Sequence, residues 1–139
     1  MIELSMGRDA KIEIRPWASR DRHGVEALLR LLSADAAVQV EDAPTYVAHD
    51  GEQVIGMVTL CVFRTLTGPK AYLDHLVVAP EWRRRGIGRA LVDYVVQEAK
   101  KAGASRIDLT AGDAKPAGRA LYAALGFRER RTSTFRLSL

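Results

Sequence analysis

The chain has 139 residues, 47% of them hydrophobic and 27% charged, the size and balance of one globular domain rather than of a disordered segment. Its 21 basic and 17 acidic residues leave a formal charge of +4, an excess that suits an anionic ligand better than a dedicated nucleic-acid surface. With Cys61 as its single cysteine it can build neither a disulfide framework nor a cysteine-rich zinc site, and no apolar run approaches the roughly 20 residues of a membrane span.

Residues 1–10 read as a loose arm without the cationic start and continuous apolar stretch of a secretory signal, so a cytoplasmic setting is expected. Residues 11–139 then read as a single domain. Ile12 and Ile14 alternate with charged neighbours, as in a half-buried strand. After Asp21, residues Val25, Leu28, Leu29 and Leu32 follow the i, i+3, i+4, i+7 spacing of a helix face. "TYVAH" (45–49) is a short strand, the "DG" at 50–51 a hairpin turn, and "QVIGMVTLCVF" (53–63) a long β-rich run. Within that run Cys61 reads as a packed strand cysteine rather than a reactive thiol. "TGPK" (67–70) turns the chain into the strand "AYLDHLVV" (71–78), which Pro80 stops.

From Ile87 the residues Ala90, Leu91, Tyr94 and Val95 share a helix face, with Lys100 and Lys101 at its negative end and Gly103 beyond it. "SRIDLT" (105–110) is a further strand. "PAGRALYAALGF" (116–127) is a helix with proline in its first turn, Gly126 as its C-terminal cap and Phe127 placed for a closing apolar contact. "TFRLSL" (134–139) closes the chain as an alternating strand. The resulting order, βα-βββ-αβ-αβ, predicts an α/β fold with a mixed sheet flanked by helices and a right-handed parallel crossover over residues 71–110.

The stretch "PEWRRRGIGRAL" falls on the strand-to-helix turn of that crossover. A helix start leaves backbone N–H groups without intrahelical acceptors, and its dipole favours negative charge. Gly86 and Gly88 carry no Cβ to keep a phosphate away, and Arg83, Arg84, Arg85 and Arg89 offer charge-assisted bonds. No Gly-Lys-Ser/Thr follows, which excludes a P-loop, and Leu91 stands where the dinucleotide fingerprint needs its third glycine. Two readings remain on these residues alone: a phosphate cradle, or a solvated basic helix entrance.

The wider stretch "LVVAPEWRRRGIGRAL" resembles the acyl-CoA signature of the GNAT superfamily of N-acetyltransferases, an Arg/Gln-x-x-Gly-x-Gly/Ala motif after a strand ending in Val-x-x-Pro. "RALYAALGF" (119–127) is similar to the family's second landmark, a helix carrying tyrosine followed by Gly-Phe. The resemblance implies a three-layer arrangement with splayed central strands, and acetyl-CoA as acyl donor without a metal. It implies a pyrophosphate bound by residues 83–89, Ile87 included, and a pantetheine arm along Leu76, Val77 and Val78. There a strand bulge would free an N–H for the thioester carbonyl. Tyr122 takes the family position of the acid that protonates the departing thiolate, against the plain alternative of a core tyrosine.

Asp74 stands near the family's acidic residue, where it would bind or deprotonate the amine directly or through water. Strict alternation places Tyr72, Asp74 and Leu76 on one face and turns His75 away as a buried histidine, though imidazole chemistry suits a base. Two positions depart from the family pattern: Lys115, a candidate contact for a CoA phosphate or a solvated lysine, and Gly118 in place of alanine. The expected activity is acetyl transfer to a primary amine of a small molecule or peptide. The other readings are a non-catalytic acyl-CoA-binding regulator and, well behind it, a nucleic-acid module. The last strand also suggests pairing across a homodimer.

Overall fold

In the computed structural model, which describes residues 2–6, 10–51, 53–112 and 116–139, six strands form one sheet in the order β1-β2-β3-β4-β5-β6. Strands β1 (Ile2–Met6), β2 (Ala10–Pro16), β3 (Thr45–Asp50), β4 (Gln53–Thr65) and β5 (Gly68–Val78) pair antiparallel in succession, and β6 (Ile107–Asp108) runs parallel to β5. Helix α1 (Arg22–Leu29) precedes β3, α2 (Ile87–Lys101) makes the β5-to-β6 crossover, and α3 (Pro116–Ala124) follows β6. Two turns follow from glycine's freedom at positive φ: Gly51 (φ +58°) joins β3 to β4, and Gly68 (φ +113°) opens β5 after Thr65.

The expected loose arm is corrected: Ile2 to Met6 pair with Ile14 to Ala10 as β1. The outer edge of β2 presents unpaired N–H and C=O groups, and an extended segment satisfies them. The expected last strand is corrected in the opposite direction. Residues 128–139 lie outside the sheet, with Phe135, Leu137 and Leu139 exposed, and no edge among the described residues pairs with them. The strand expected over 105–110 shortens to Ile107–Asp108.

Helices cover the two faces unequally. On one face α2 presents Ile87, Leu91, Val92, Val95 and Ala99 to Ile12, Ile14, Val58, Leu60 and Leu73, all buried. Each such aliphatic side chain contributes about 1.5–3 kcal/mol on burial. Gly56 on β4 lets the helix come close, since a Cβ there would stand 3.1 Å from Leu91 Cδ1 and 3.3 Å from Ile87 Cγ2. On the other face, Val25 and Leu28 of α1 pack over Val47, Met57 and Val77.

Helix α1 is shorter than its apolar spacing suggests. At its end Leu31 and Leu32 donate to the carbonyls three residues back, a tightened turn that leaves both side chains exposed. It therefore covers only the part of its face near Met57 and Val77. Farther along β4, Cys61 and Phe63 are exposed, which corrects the packed reading of the cysteine. The corner before α1 is tied by Arg15, whose guanidinium meets both Asp21 carboxylate oxygens at 2.7 and 2.8 Å, while Asp21 also accepts the Ala18 N–H at 2.8 Å. The bonds from Arg15 hold the Asp21 carboxyl below the usual carboxylate range.

Candidate active site

Beyond Val78 the chain makes a short 3-10 turn (Pro80–Trp82) and enters α2 through Gly86, which stands at φ +81° with no side chain capping the helix. The Ala90 N–H is the first to bond back within α2, to Gly86 O at 3.0 Å, so the amides ahead of it point out of the helix end. The glycines divide the work. Gly86 supplies the left-handed turn, and a Cβ on it would meet nothing within 4 Å. Gly88 sits where three elements converge: a Cβ there would lie 3.5 Å from Leu121 Cδ2 of α3 and 3.8 Å from Val78 Cγ2 of β5.

The four arginines also separate. Arg83 Nε donates to the Val78 carbonyl at 3.0 Å, and the Arg85 guanidinium lies over the Trp82 ring, 4.8 Å from its centroid. Arg84 (φ +62°) and Arg89 are exposed at the helix entrance. Two of the four expected phosphate contacts thus tie the turn to β5 and to Trp82, uses that a run of like residues does not reveal. Lys115 lies outside the described residues.

Strand β6 pairs with β5 only through Ala71↔Ile107 and Tyr72↔Asp108, so the β5 edge beyond Tyr72 opens toward α3. Along that edge Leu76 and Val78 are half-buried against the α2 core, and Val77 is buried on the α1 side. The bulge is present: the register passes from Met57↔Val77 to Thr59↔Asp74, three steps on β5 against two on β4. At this point His75 takes φ +50°, in the left-handed region.

The bulge corrects the alternation expected for this strand. His75 Nδ1 lies 3.3 Å from Thr59 Oγ1, and Thr59 is the partner of Asp74, so His75 and Asp74 share the α1 side. The imidazole is not buried: its side chain is 44% exposed, with Nε2 3.6 Å from Asp74 Oδ2. Asp74 also closes the bulge by accepting the His75 N–H on Oδ1 at 2.8 Å.

Tyr122, from the middle of α3, is half-buried at the margin of the α2 core. Its ring meets Phe127 edge-on at 5.7 Å between centroids, and its carbonyl accepts the Phe127 N–H at 2.9 Å, the closing contact expected after Gly126 (φ +94°). Burial pushes the phenol above its ordinary range, and the charge of the Asp74 carboxylate adds to this. A phenol so placed keeps its proton at neutral pH. Gly118 leaves room beside the ring, its absent Cβ falling 3.8 Å from Tyr122 Cε2.

Two clefts flank the α1 side. The larger, about 440 Å³, runs between α1 and residues 79–81 and does not include the open β5 edge. The smaller, about 240 Å³, is lined by Trp17, Glu41, Asp42, Thr45 and Tyr46 among others. Thr45 Oγ1 lies 2.9 Å from Thr59 Oγ1, so the second cleft is one hydroxyl pair away from His75. Chemically, the site offers outward helix amides for an anion, a strand edge that no described residue pairs with beyond Tyr72, a proton-bearing phenol, and a carboxylate beside an imidazole.

Residues 11–127 match the family model described as the acetyltransferase (GNAT) family. The chain is 38% identical over 92 residues to human N-acetyltransferase 8, a match that spans 65% of this chain and 40% of that protein's length. It is 30% identical over 118 residues to the aminoglycoside N(6')-acetyltransferase type 1 of Acinetobacter genomosp. 13, covering 81% of this chain and 77% of the relative. Its fold is similar to that of an aminoglycoside N-acetyltransferase solved in complex with CoA, with a TM-score of 0.81 and 17% identity over 96% of this chain and 99% of the other.

Proposed function

The chain belongs to the GNAT acetyltransferase family, and on that premise we propose that it transfers an acetyl group from acetyl-CoA to a primary amine by direct attack on the thioester. One observation carries the reading: the open β5 edge, the uncapped start of α2 and the proton-bearing Tyr122 converge around Gly88 and Leu121. The pyrophosphate lies over the amides of residues 84–89, with Arg84 and Arg89 free to meet it. Arg83 and Arg85 hold the turn that presents those amides. The pantetheine arm follows Leu76 to Val78, whose edge no strand occupies among the described residues. Lys115 is kept as a further phosphate contact.

Acyl transfer to nitrogen needs one proton removed from an alkylammonium, whose pKa is about 10, and one proton given to the leaving thiolate. Tyr122 supplies the second. Asp74 provides negative charge on the amine's side of the thioester, and Asp42 adds more beside Thr45, whereas the neighbouring Glu41 carboxylate is already paired with the Arg22 guanidinium. An acceptor that carries positive charge, a small molecule or a peptide amine, fits that lining. The name of the Acinetobacter relative points to one such class, the aminoglycosides.

The test is thiol release from acetyl-CoA over a panel of amines, with Tyr122→Phe beside the wild type. We expect turnover, and a loss in kcat of about 10²-fold in the variant with acetyl-CoA affinity unchanged. Tight CoA binding with no turnover on any amine would instead identify a non-catalytic acyl-CoA-binding regulator. A mobility shift of nucleic acid that CoA fails to abolish would count against both.

We also infer a homodimer and a cytoplasmic setting. Phe135, Leu137 and Leu139 alternate along the tail at 92%, 84% and 115% exposure, and β6 ends the sheet with its outer edge unpaired among the described residues. The tail of a second copy, added at that edge, would cover both liabilities at once. Deletion of residues 133–139 should turn a dimer into a monomer by light scattering. A dimer that survives the deletion refutes the exchange. An exposed, unpaired thiol at Cys61 suits a reducing compartment, and no helix among the described residues is long and apolar enough to cross a membrane.

A further inference from the structure

Resting on the acyl-transfer reading, we propose that His75, held by the buried hydroxyl pair Thr59–Thr45, is the group that takes the proton from the acceptor amine. The backbone supplies the first argument. A non-glycine residue at φ +50° is strained, at a cost of order 1–3 kcal/mol, and persists only where its surroundings over-determine it. Here the Asp74 carboxylate accepts the His75 N–H at 2.8 Å, and Thr59 Oγ1 meets Nδ1 at 3.3 Å. Without the bulge the imidazole would face the α2 core. With it, the ring stands on the half-bare face, 44% exposed, where an incoming amine can reach it.

The hydroxyl pair supplies the second. Thr45 and Thr59 are 8% and 5% exposed, and their oxygens lie 2.9 Å apart. A Thr59 hydroxyl that donates to Thr45 turns its own oxygen toward His75 as an acceptor. Nδ1 then carries the proton in the neutral ring, and Nε2 keeps a lone pair. Nε2 is 3.6 Å from Asp74 Oδ2, too long for a hydrogen bond yet close enough to stabilise an imidazolium. Asp74 is thereby a charge beside the base and a clamp on the bulge, while the base is the ring. Thr59 and Thr45 are positioning residues.

The titratable and charged groups around the ring are few. Asp74 and Tyr72 lie on its own strand, Cys61 lies two pairs along on β4, and the Tyr122 phenol on α3 is raised in part by the Asp74 charge. From β3 the neighbour is Thr45, which carries no charge.

The step balances as follows. The ammonium gives one proton to Nε2, and the neutral nitrogen attacks the thioester carbonyl carbon. The C–N bond forms and the C–S bond breaks. The CoA thiolate takes the Tyr122 proton, and the second proton lost from nitrogen restores the phenol through solvent. The imidazolium then releases its proton, so one proton leaves per turnover.

The experiment measures kcat and KM for both substrates against pH in the wild type, His75→Asn, Thr59→Val and Thr59→Ser, together with ring ¹⁵N spectra of His75. Asparagine tolerates the left-handed backbone, which keeps the bulge intact. We expect His75→Asn to lower kcat by about 10²-fold and to flatten the acid limb of the kcat profile, with KM for acetyl-CoA unchanged. Thr59→Val should lower kcat by about tenfold and shift the spectra away from the Nδ1–H tautomer, and Thr59→Ser should restore both. The proposal is overturned if His75→Asn keeps kcat within twofold, or if the wild-type ring carries its proton on Nε2. A wild type that binds CoA yet turns over no amine would remove the acyl-transfer reading itself, and the proposal with it. Loss of acetyl-CoA binding in His75→Asn would assign the residue to cofactor binding and equally refute it.

Discussion

Replacing Gly56 with alanine should act on the proposed acyl-CoA cradle from the far side of the sheet core. The added Cβ would stand 3.1 Å from Leu91 Cδ1, 3.3 Å from Ile87 Cγ2 and 3.4 Å from the Val77 carbonyl. Ordinary carbon contacts lie near ~3.5–4.0 Å, so the two side chains must each retreat by a few tenths of an ångström. Neither has solvent to retreat into, since Leu91 and Ile87 are 0% and 1% exposed. Both belong to the first turns of α2, so the helix start moves, and the amides at Gly86 to Arg89 move with it. Overpacking of this kind costs about 1–3 kcal/mol. For a domain of this size that is a fall of roughly 3–10 °C in Tm.

A double-mutant cycle in urea separates wedge from accident. Leu91→Ala alone should cost about 2–5 kcal/mol through the cavity it leaves. Combined with Gly56→Ala it should cost less than the sum, by about 1 kcal/mol or more, because the new methyl occupies part of that cavity. Gly56→Ala should also raise KM for acetyl-CoA several-fold while the m-value stays constant. Strict additivity of the two substitutions, or a neutral Gly56→Ala, would refute the reasoning.

A Cβ on Gly24 would fall 2.8 Å from Val54 Cβ, an atom that cannot swing aside, so Gly24→Ala should destabilise at least as much as Gly56→Ala in the same denaturation series, by lifting α1 off β4. The Asp21 carboxyl sits below its ordinary range, mainly through its bonds from Arg15, so its contribution is full above the unfolded pKa of about 3.9 and is lost as pH falls through the folded value. Asp21→Asn should therefore cost about 3 kcal/mol at neutral pH and flatten the acid side of the stability curve, because it leaves a largely buried guanidinium unpaired. Cys61 should react with a thiol-specific chromogenic disulfide in the native protein at one equivalent, and slow burial-limited labelling would contradict the bare face described for β4.

The parts of this architecture legible in the sequence are those in which local chemistry and tertiary contact agree. The 3.6-residue spacing from Ile87 gives α2, Gly103 ends it at φ +77°, and Gly126 with Phe127 closes α3 as composition suggests. The β5 bulge has no such signature, since its strained residue is a histidine rather than a glycine. One extra residue reverses every side chain beyond it, and so strict alternation points His75 to the wrong face. The exposure of Cys61 depends on where α1 stops, a tertiary matter that alternation along β4 does not encode. Both errors at the two termini concern pairing partners: β1 finds an edge to join, and the apolar alternation of 134–139 finds none among the described residues.

The unequal covering of the sheet's two faces gives this chain separate places to be constrained and to drift. On the α2 face, Val58, Leu60 and Leu73 support the core and, with it, the helix start proposed to hold the donor, so a change there is tested against folding and against that proposed binding at once. On the bare half, Cys61 and Phe63 are exposed, and most surface substitutions fall within about 0.5 kcal/mol of neutrality. On the proposed acyl-transfer reading, acceptor preference changes there through single substitutions while the donor side stays fixed.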